Sequence, residues 1–188
     1  MNPFLTIVKL FPVVVMAMLF VNCATSNRKN VDPPKVSVSE KSEGYAILYD
    51  LVSDEKNIKI LSFIKRERPE FKALLKRISA TAKETATGLE TFAKKDPQLN
   101  LKITHLPLLE QKTRESIGAQ TQKQILKNSG EALESLLLMT QVESMNYAAH
   151  LAKVLAERET DSARRQFLQN ASAKFAGLHD EVYQMLLK

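Results

Sequence analysis

An apolar stripe between Phe71 and Phe92 constrains the fold more than any other feature of this sequence. Its members recur at alternating spacings of four and three residues, which places them on one face of an α-helix. They are Phe71, Leu75, Ile78, Ala82, Thr85, Leu89 and Phe92. A strand would need alternation with period two, and beyond Gly44 only the short stretch NLKIT resembles one. The chain is therefore predicted to be all-α.

Proline and polar turns divide this helical region into five predicted helices. Pro69 separates the first two, because a residue before proline avoids helical geometry and proline suits the first helical turn. Asp161 or Ser162 is expected to cap the last helix, and Ser129 the one before it. The predicted helices run from about Tyr45 to Arg66, Pro69 to Lys94, Leu108 to Lys127, Glu131 to Arg158, and Ser162 to Leu187.

The segment KKDPQLNLKITHLP, from Lys94 to Pro107, interrupts the helical pattern and reads as a crossover. The helix that follows it, Leu108–Lys127, has few apolar residues and is expected to be peripheral. Two helical hairpins separated by a long crossover predict an antiparallel four-helix bundle of the ferritin-like kind, with an extra peripheral helix between helices 2 and 3. An up-down-up-down bundle is the alternative, if the crossover is only a loop with an added helix.

The N-terminal segment has the pattern of a secretory signal. Lys9 is its sole charge and precedes an apolar run from Leu10 to Val21, which is short for a membrane span of about 20 residues. Polar sequence follows at once. The only cysteine of the chain, Cys23, lies at the end of this run, so no intramolecular disulfide can form.

The stretch LFVNC resembles a bacterial lipobox, although Asn22 stands where that family usually has Gly, Ala or Ser. The resemblance implies that the Cys23 thiol receives a diacylglyceryl group and that cleavage makes Cys23 the first residue. It implies a signal peptide over residues 1–22 and a bacterial cell-envelope protein anchored by lipid, on the outer membrane or periplasmic face. The polar stretch over 23–42 is predicted to be a tether, and residues 43–188 the helical domain.

Four titratable side chains fall on or beside predicted apolar faces when each helix is turned by about 100° per residue. Glu55 lies among Leu48, Leu51 and Ile58. The apolar face of the fourth helix is expected at Leu136, Tyr147, Leu151 and Val154, with Glu143 inside it and His150 at its edge; His179 lies beside Phe175 and Val182. A buried carboxylate is costly unless it is paired or bound to metal.

The stretch VESMNYAAHLAKVLAERE resembles the metal-bearing helices of ferritin-like, rubrerythrin-type proteins. The resemblance implies a di-metal centre to which Glu55 and Glu143 would contribute. The two Glu-x-x-His motifs of that family are missing. Thr87, not His, lies three residues after Glu84, and Ala176, not Glu, lies three residues before His179. A weakly bound divalent metal on Glu55, Glu143, His150 and His179 is the alternative to a purely structural polar cluster, which needs no cofactor.

The net charge of +6 would suit nucleic acid or an anionic membrane surface. Lys and Glu alternate along the helices and no nucleic-acid-binding motif is present, so no nucleic-acid partner is expected. The predicted function is a binding or structural role without catalysis, and the alternative is a metal-binding or redox domain. The predicted partners are the membrane, through the anchor, and another envelope protein, through Leu108–Lys127.

Overall fold

The computed structural model describes residues 37–58, 68–104 and 106–188. This part of the chain contains five α-helices and no strand, so the prediction of an all-α protein is confirmed. The helices are α1 (Val38–Glu55), α2 (Pro69–Lys95), α3 (Leu108–Lys127), α4 (Gly130–Arg158) and α5 (Ser162–Leu186). The predicted signal peptide and Cys23 lie outside the described residues.

The first helix differs from its prediction at both ends. It begins at Val38, inside the segment predicted as a tether, because Ser37 and Glu40 form a capping box in which each side chain accepts the other's backbone N–H (3.1 and 2.8 Å). It ends at Glu55, and Lys56 and Asn57 form a turn, so the predicted continuous helix to Arg66 is wrong. The rest of that predicted helix, residues 59–66, lies outside the described chain.

The other helix boundaries agree with the sequence to within about two residues. Pro69 is the first residue of α2, and the Asp161 side chain caps α5 by accepting the Arg164 backbone N–H at 2.8 Å. Ser129 stands at the N-cap of α4, but its side chain makes no capping hydrogen bond. Gly130, the next residue, has φ = 58°, a left-handed conformation that glycine adopts at low cost.

Side-chain contacts fix the direction of each neighbouring pair of helices. In the α1–α2 pair, Tyr49 donates to Glu90 at 2.7 Å, while Ser79 donates to the carbonyl of Lys56, so these helices are antiparallel. In the α2–α5 pair, Lys174 binds Glu84 and Arg77 binds Glu181, which is again antiparallel.

The remaining two pairs are antiparallel as well. In the α1–α4 pair, Tyr45 contacts Glu159 near the start of α1, and Glu55 faces Ser144 near its end. In the α4–α5 pair, Ser172 donates to the carbonyl of Ala149, and α5 begins where α4 ends.

These contacts arrange four helices in a closed order: α1 touches α2, α2 touches α5, α5 touches α4, and α4 touches α1. The α4–α5 interface is the most extensive, and α3 packs against α4. Since α2 and α4 are both antiparallel to α1, they run in the same direction. The connection between them, residues 96–129, therefore returns along the length of the molecule and carries α3.

The predicted apolar stripe of α2 faces the core. So does that of α5, for which the sequence predicts Phe167, Leu168, Ala171, Phe175, Leu178, Val182 and Met185. In α2 every predicted member is buried except Phe92, which is half-buried, and in α5 the buried members are Leu168, Ala171, Phe175, Leu178 and Val182. In α1, Leu48 and Leu51 are buried as predicted, and so is Ile58, which follows the turn after α1.

The predicted apolar face of α4 is wrong. Leu136, Tyr147 and Leu151 are only half-buried and Val154 is 47% exposed. The helix instead buries the face that carries small side chains and a second set of large ones: Ala148, Ala149, Ala152 and Ala156 with Leu137, Leu138, Met145 and Leu155. Small residues allow the backbones of neighbouring helices to approach closely. A prediction based on the positions of the large apolar side chains therefore misses a buried face made largely of alanines.

Candidate functional site

Glu55, the last residue of α1, is the one predicted site residue that the structure buries fully, at 3% exposure. It faces Gln141 and Ser144 of α4. Within the described chain, Glu55 Oε2 and both amide atoms of Gln141 are buried without a hydrogen-bond partner. Buried polar groups are almost always paired, so an unpaired oxygen of Glu55 and the unpaired Gln141 carboxamide at one helix interface mark this position as a candidate site.

Burial controls the protonation of the carboxyl groups at the end of α1. It raises the pKa of Glu55 to about 7, and the Ser144 and Gln141 side chains oppose this rise without cancelling it. Burial, together with the charges of Asp50 and Glu55, raises the pKa of Asp54 to about 8. A protonated Glu55 can donate a hydrogen bond, whereas an ionised Glu55 needs a cation, a water molecule or a donor beside it.

The other predicted site residues do not share this environment. Glu143 and His150 are exposed on the outer face of α4, although burial raises the pKa of Glu143. His179 is half-buried on α5, contacts Asp180 at 3.1 Å and stacks on Tyr183. Over residues 37–58, 68–104 and 106–188, no three His, Cys, Asp or Glu side chains form a group that could hold a metal ion.

Glu159, between α4 and α5, is the most heavily bonded buried carboxylate described, and the sequence analysis did not single it out. Its Oε2 accepts the Tyr45 hydroxyl at 2.6 Å, and its Oε1 accepts the backbone N–H groups of Thr160 (2.8 Å) and Asp161 (3.0 Å). Arg164 and Lys41 add their charges at 3.2 and 3.4 Å. This cluster joins α1 to the α4–α5 turn.

The pKa values of this cluster follow from these bonds. Burial opposes ionisation of Glu159, but the bonds from Tyr45, the Asp161 backbone and Arg164, with the charge of Lys41, outweigh it and lower its pKa to about 2. Burial and the neighbouring carboxylate raise the pKa of Tyr45. Glu159 therefore stays ionised and Tyr45 neutral over the physiological range. The only sequence signal was an acidic residue just before a helix cap, with arginines in the following turn.

Comparison of the chain with protein-family models, with curated proteins and with solved structures found no match. Among the helices that the structure describes, none combines the length and the apolar character needed to cross a membrane.

Proposed function

We propose that this chain is a lipid-anchored protein of the bacterial cell envelope, in which a helical domain has a binding or structural role. The observation that carries the proposal is the single cysteine, Cys23, placed two residues after an apolar run of signal-peptide length. The segment 24–36 then separates Cys23 from the capped start of α1 at Ser37. Acyl chains on one residue, followed by a short polar link, hold a folded domain close to a bilayer.

The proposed architecture of the domain is a four-helix bundle with ferritin-like connectivity. Its support is the closed order of contacts among α1, α2, α5 and α4, together with the shared direction of α2 and α4. An up-down-up-down bundle would make α2 and α4 neighbours in sequence without a return connection. Residues 96–129 make that return, and α3 lies within it.

A binding or structural role rests on how the buried polar groups are used. The Glu159 cluster is bonded entirely within the protein and connects three segments, α1, α5 and, through Arg164 and Asp96, the end of α2. Such a network fixes the relative positions of helices. A rigid set of helices held near a membrane suits the display of a surface to a partner.

The anchor is tested by expressing the full chain in a bacterium and measuring the mass of the N-terminal peptide. We expect a diacylglyceryl-modified Cys23 as the first residue, and we expect the chain to sediment with membranes and to need detergent for release. In Cys23→Ser the signal stays uncleaved or the product leaves the membrane fraction. An unmodified thiol on a chain that fractionates without detergent would refute the anchor.

A metal-binding or redox site is the second candidate function, and the unpaired Glu55 Oε2 and Gln141 carboxamide favour it. Only Glu55 of the four predicted ligands lies in this buried position; Glu143, His150 and His179 would have to bind from other faces. Elemental analysis of the purified full chain tests this candidate. Stoichiometric metal that is lost in Glu55→Ala and kept in His150→Ala would place the metal at the α1–α4 interface, and metal-free protein would exclude it.

A further inference from the structure

We propose that the end of the molecule at which α1 begins docks on an anionic bilayer surface. This proximal end consists of the start of α1, the end of α2, residues 96–104 with the first turn of α3, and the α4–α5 turn. The inference rests on the proposed anchor, because the segment from Cys23 reaches the folded domain at this end.

Contacts among the described residues bring these segments together. The Ser42 hydroxyl accepts the Asn100 backbone N–H at 2.9 Å, and Thr104 lies 3.4 Å from Glu43, so the chain after α2 lies beside the start of α1. Arg164 binds Asp96 at 2.7 Å, which adds the beginning of α5. The first turn of α3 follows Thr104 by four residues and therefore starts near the same end.

Apart from Glu157, which is exposed in the last turn of α4, the acidic groups of the proximal end are bonded within the protein. Glu40 accepts in the capping box of α1, and Asp161 caps α5. Asp96 and Glu159 bind Arg164, and Glu43 lies within hydrogen-bond distance of Thr104. These carboxylates are therefore held by internal donors, and several of them are shielded by a neighbouring cation.

The lysines of the proximal end are arranged differently. Lys94 and Lys95, in the last turn of α2, and Lys102 are exposed and belong to no ion pair in the described parts of the chain. An ammonium group within a Debye length of an anionic leaflet is attracted to it by about 1 kcal/mol, or roughly fivefold in binding. Three such groups on one end provide charge complementarity to anionic lipid headgroups.

Apolar side chains stand beside these lysines. Leu108 is 67% exposed, Leu109 is 81% exposed, and Val38, at the first residue of α1, is 54% exposed. Leucines next to lysines suit the boundary between headgroups and acyl chains, where the apolar part is buried and the charge stays in the headgroup layer. A second copy of the chain is the less suitable occupant, because two proximal ends that faced each other would bring their like-charged lysines together.

The length of the segment between Cys23 and α1 determines how frequently the proximal end encounters the bilayer. Residues 24–36 can extend to roughly 45 Å at about 3.4 Å per residue, which permits the domain to lie on the bilayer or away from it. A short tether raises the effective concentration of the tethered surface to the millimolar range. Weak attraction by three lysines and two or three apolar side chains is then sufficient to favour docking.

The test uses the full chain reconstituted from membranes into vesicles that contain phosphatidylglycerol, with phosphatidylcholine vesicles as the comparison. Hydrogen exchange is measured over residues 94–104, and the variants are the triple substitution Lys94→Gln, Lys95→Gln, Lys102→Gln and a matched triple, Lys76→Gln, Lys83→Gln, Lys123→Gln. The control lysines are exposed along α2 and α3, away from this end.

We expect residues 94–104 to be protected in phosphatidylglycerol vesicles and not in phosphatidylcholine vesicles. The proximal triple variant should lower the docked-to-undocked ratio by roughly a hundredfold, whereas the control triple keeps most of it and added salt weakens it. Equal protection in both lipids, or equal loss in both variants, overturns the proposal. Protection that needs no lipid and rises with protein concentration assigns the surface to a second copy, and it also overturns the proposal.

The same preparation separates this inference from the anchor. The mass of the Cys23 peptide reports the modification by itself. If Cys23 is unmodified, the proposed function fails, and docking is then measured by cosedimentation of the unanchored chain with the two kinds of vesicle.

Discussion

Glu55 and Glu159 are both buried carboxyl groups where α1 meets α4. Glu55 is the last residue of α1 and faces α4, whereas Glu159 directly follows α4 and contacts α1. Glu159 receives five donors, including two backbone N–H groups and the Arg164 guanidinium, so its charge is compensated. Glu55 has no charged partner among the groups that set its pKa, and its Oε2 has no hydrogen-bond partner in the described chain. Burial disfavours the ionised form of both carboxyl groups; the donors around Glu159 outweigh that cost, whereas those around Glu55 do not.

Replacing Glu159 with Gln should destabilise the fold by roughly 2–4 kcal/mol, because the buried Tyr45 hydroxyl and two backbone N–H groups would lose a charged acceptor and Arg164 would keep only Asp96 as a countercharge. Denaturant unfolding at neutral pH measures this loss. The matched control is Glu84→Gln, since Glu84 pairs with Lys174 on the surface and such pairs contribute about 0–1 kcal/mol.

The Glu159 contribution should also depend on pH. Its folded pKa of about 2 lies below the usual 4.5, so the contribution is complete above pH 4.5 and is lost as the pH falls towards 2. Equal losses in the two variants, or a Glu159→Gln protein that keeps the acid sensitivity of the parent, would contradict this role.

Glu55 should give the opposite pH dependence. Its folded pKa of about 7 lies above the usual 4.5, so the folded state holds the extra proton between these values and loses stability as the pH rises from 4.5 to 7. Glu55→Gln should therefore stabilise the protein by about 2–3 kcal/mol above pH 7 and change little below pH 4.5. Unfolding free energies at pH 4 and pH 8 measure the effect, with Glu157→Gln, an exposed change on α4, as the control. A stabilisation that is the same at both pH values would disprove this assignment.

At the scale of helices, the α2–α5 contact depends on one glycine. A Cβ atom added to Gly88 would overlap the ring of Phe167, which packs edge-to-face on Phe92 with a centroid distance of 5.2 Å. A Cβ atom added to Gly177, on α5, would have no atom of another helix within 4 Å. The two glycines cost helix propensity alike, but only Gly88 permits a close packing contact.

Gly177→Ala should therefore stabilise the protein by about 0.5–1 kcal/mol through helix propensity alone. In Gly88→Ala the same gain is opposed by displacement of Phe167, and we expect a net loss of about 1–2 kcal/mol. Thermal unfolding of both variants under one condition measures the difference. Stabilisation of similar size in both would show that Phe167 moves aside without cost.

The element scale also shows where sequence patterns succeed. In α2 and α5 the large apolar residues lie on a single face, so periodicity gave both the helix and its buried side. In α4 large apolar residues lie on two faces. The alanine-rich face is the buried one, because it fits closely against α5 and α1. The prediction put Glu143 inside the wrong face and His150 at its edge. Because the opposite face is buried, both residues are exposed.

At the scale of the whole molecule, α3 is the helix held least firmly. Within the described chain it buries only Gly118, Thr121 and Ile125, and it packs against α4 over a small area. The other four helices contact one another in a closed order and share the apolar core. Stability is therefore expected to be unequal across the molecule.

Native-state hydrogen exchange should show α3 opening at a lower free energy than α4, which packs directly beside it. The amides of residues 112–124 are expected to exchange at least tenfold faster than those of residues 141–152, corresponding to a difference of about 1.4 kcal/mol or more. Ile125→Ala should speed exchange in α3 and leave α4 nearly unchanged. Coincident exchange of the two helices would mean that α3 is part of the cooperative unit.

The sequence by itself determined the helical class, most helix boundaries and the core faces of α2 and α5, and it narrowed the cap of α5 to Asp161 or Ser162, because these depend on neighbours three or four residues away. The tertiary structure decided the end of α1, the buried face of α4 and the contrast between Glu55 and Glu159. Each of these depends on groups distant in the chain: Ser79 at the turn after α1, the close approach of α5, and the donors that surround each carboxyl. Local spacing carries no information about such partners, since they meet only after the helices have packed.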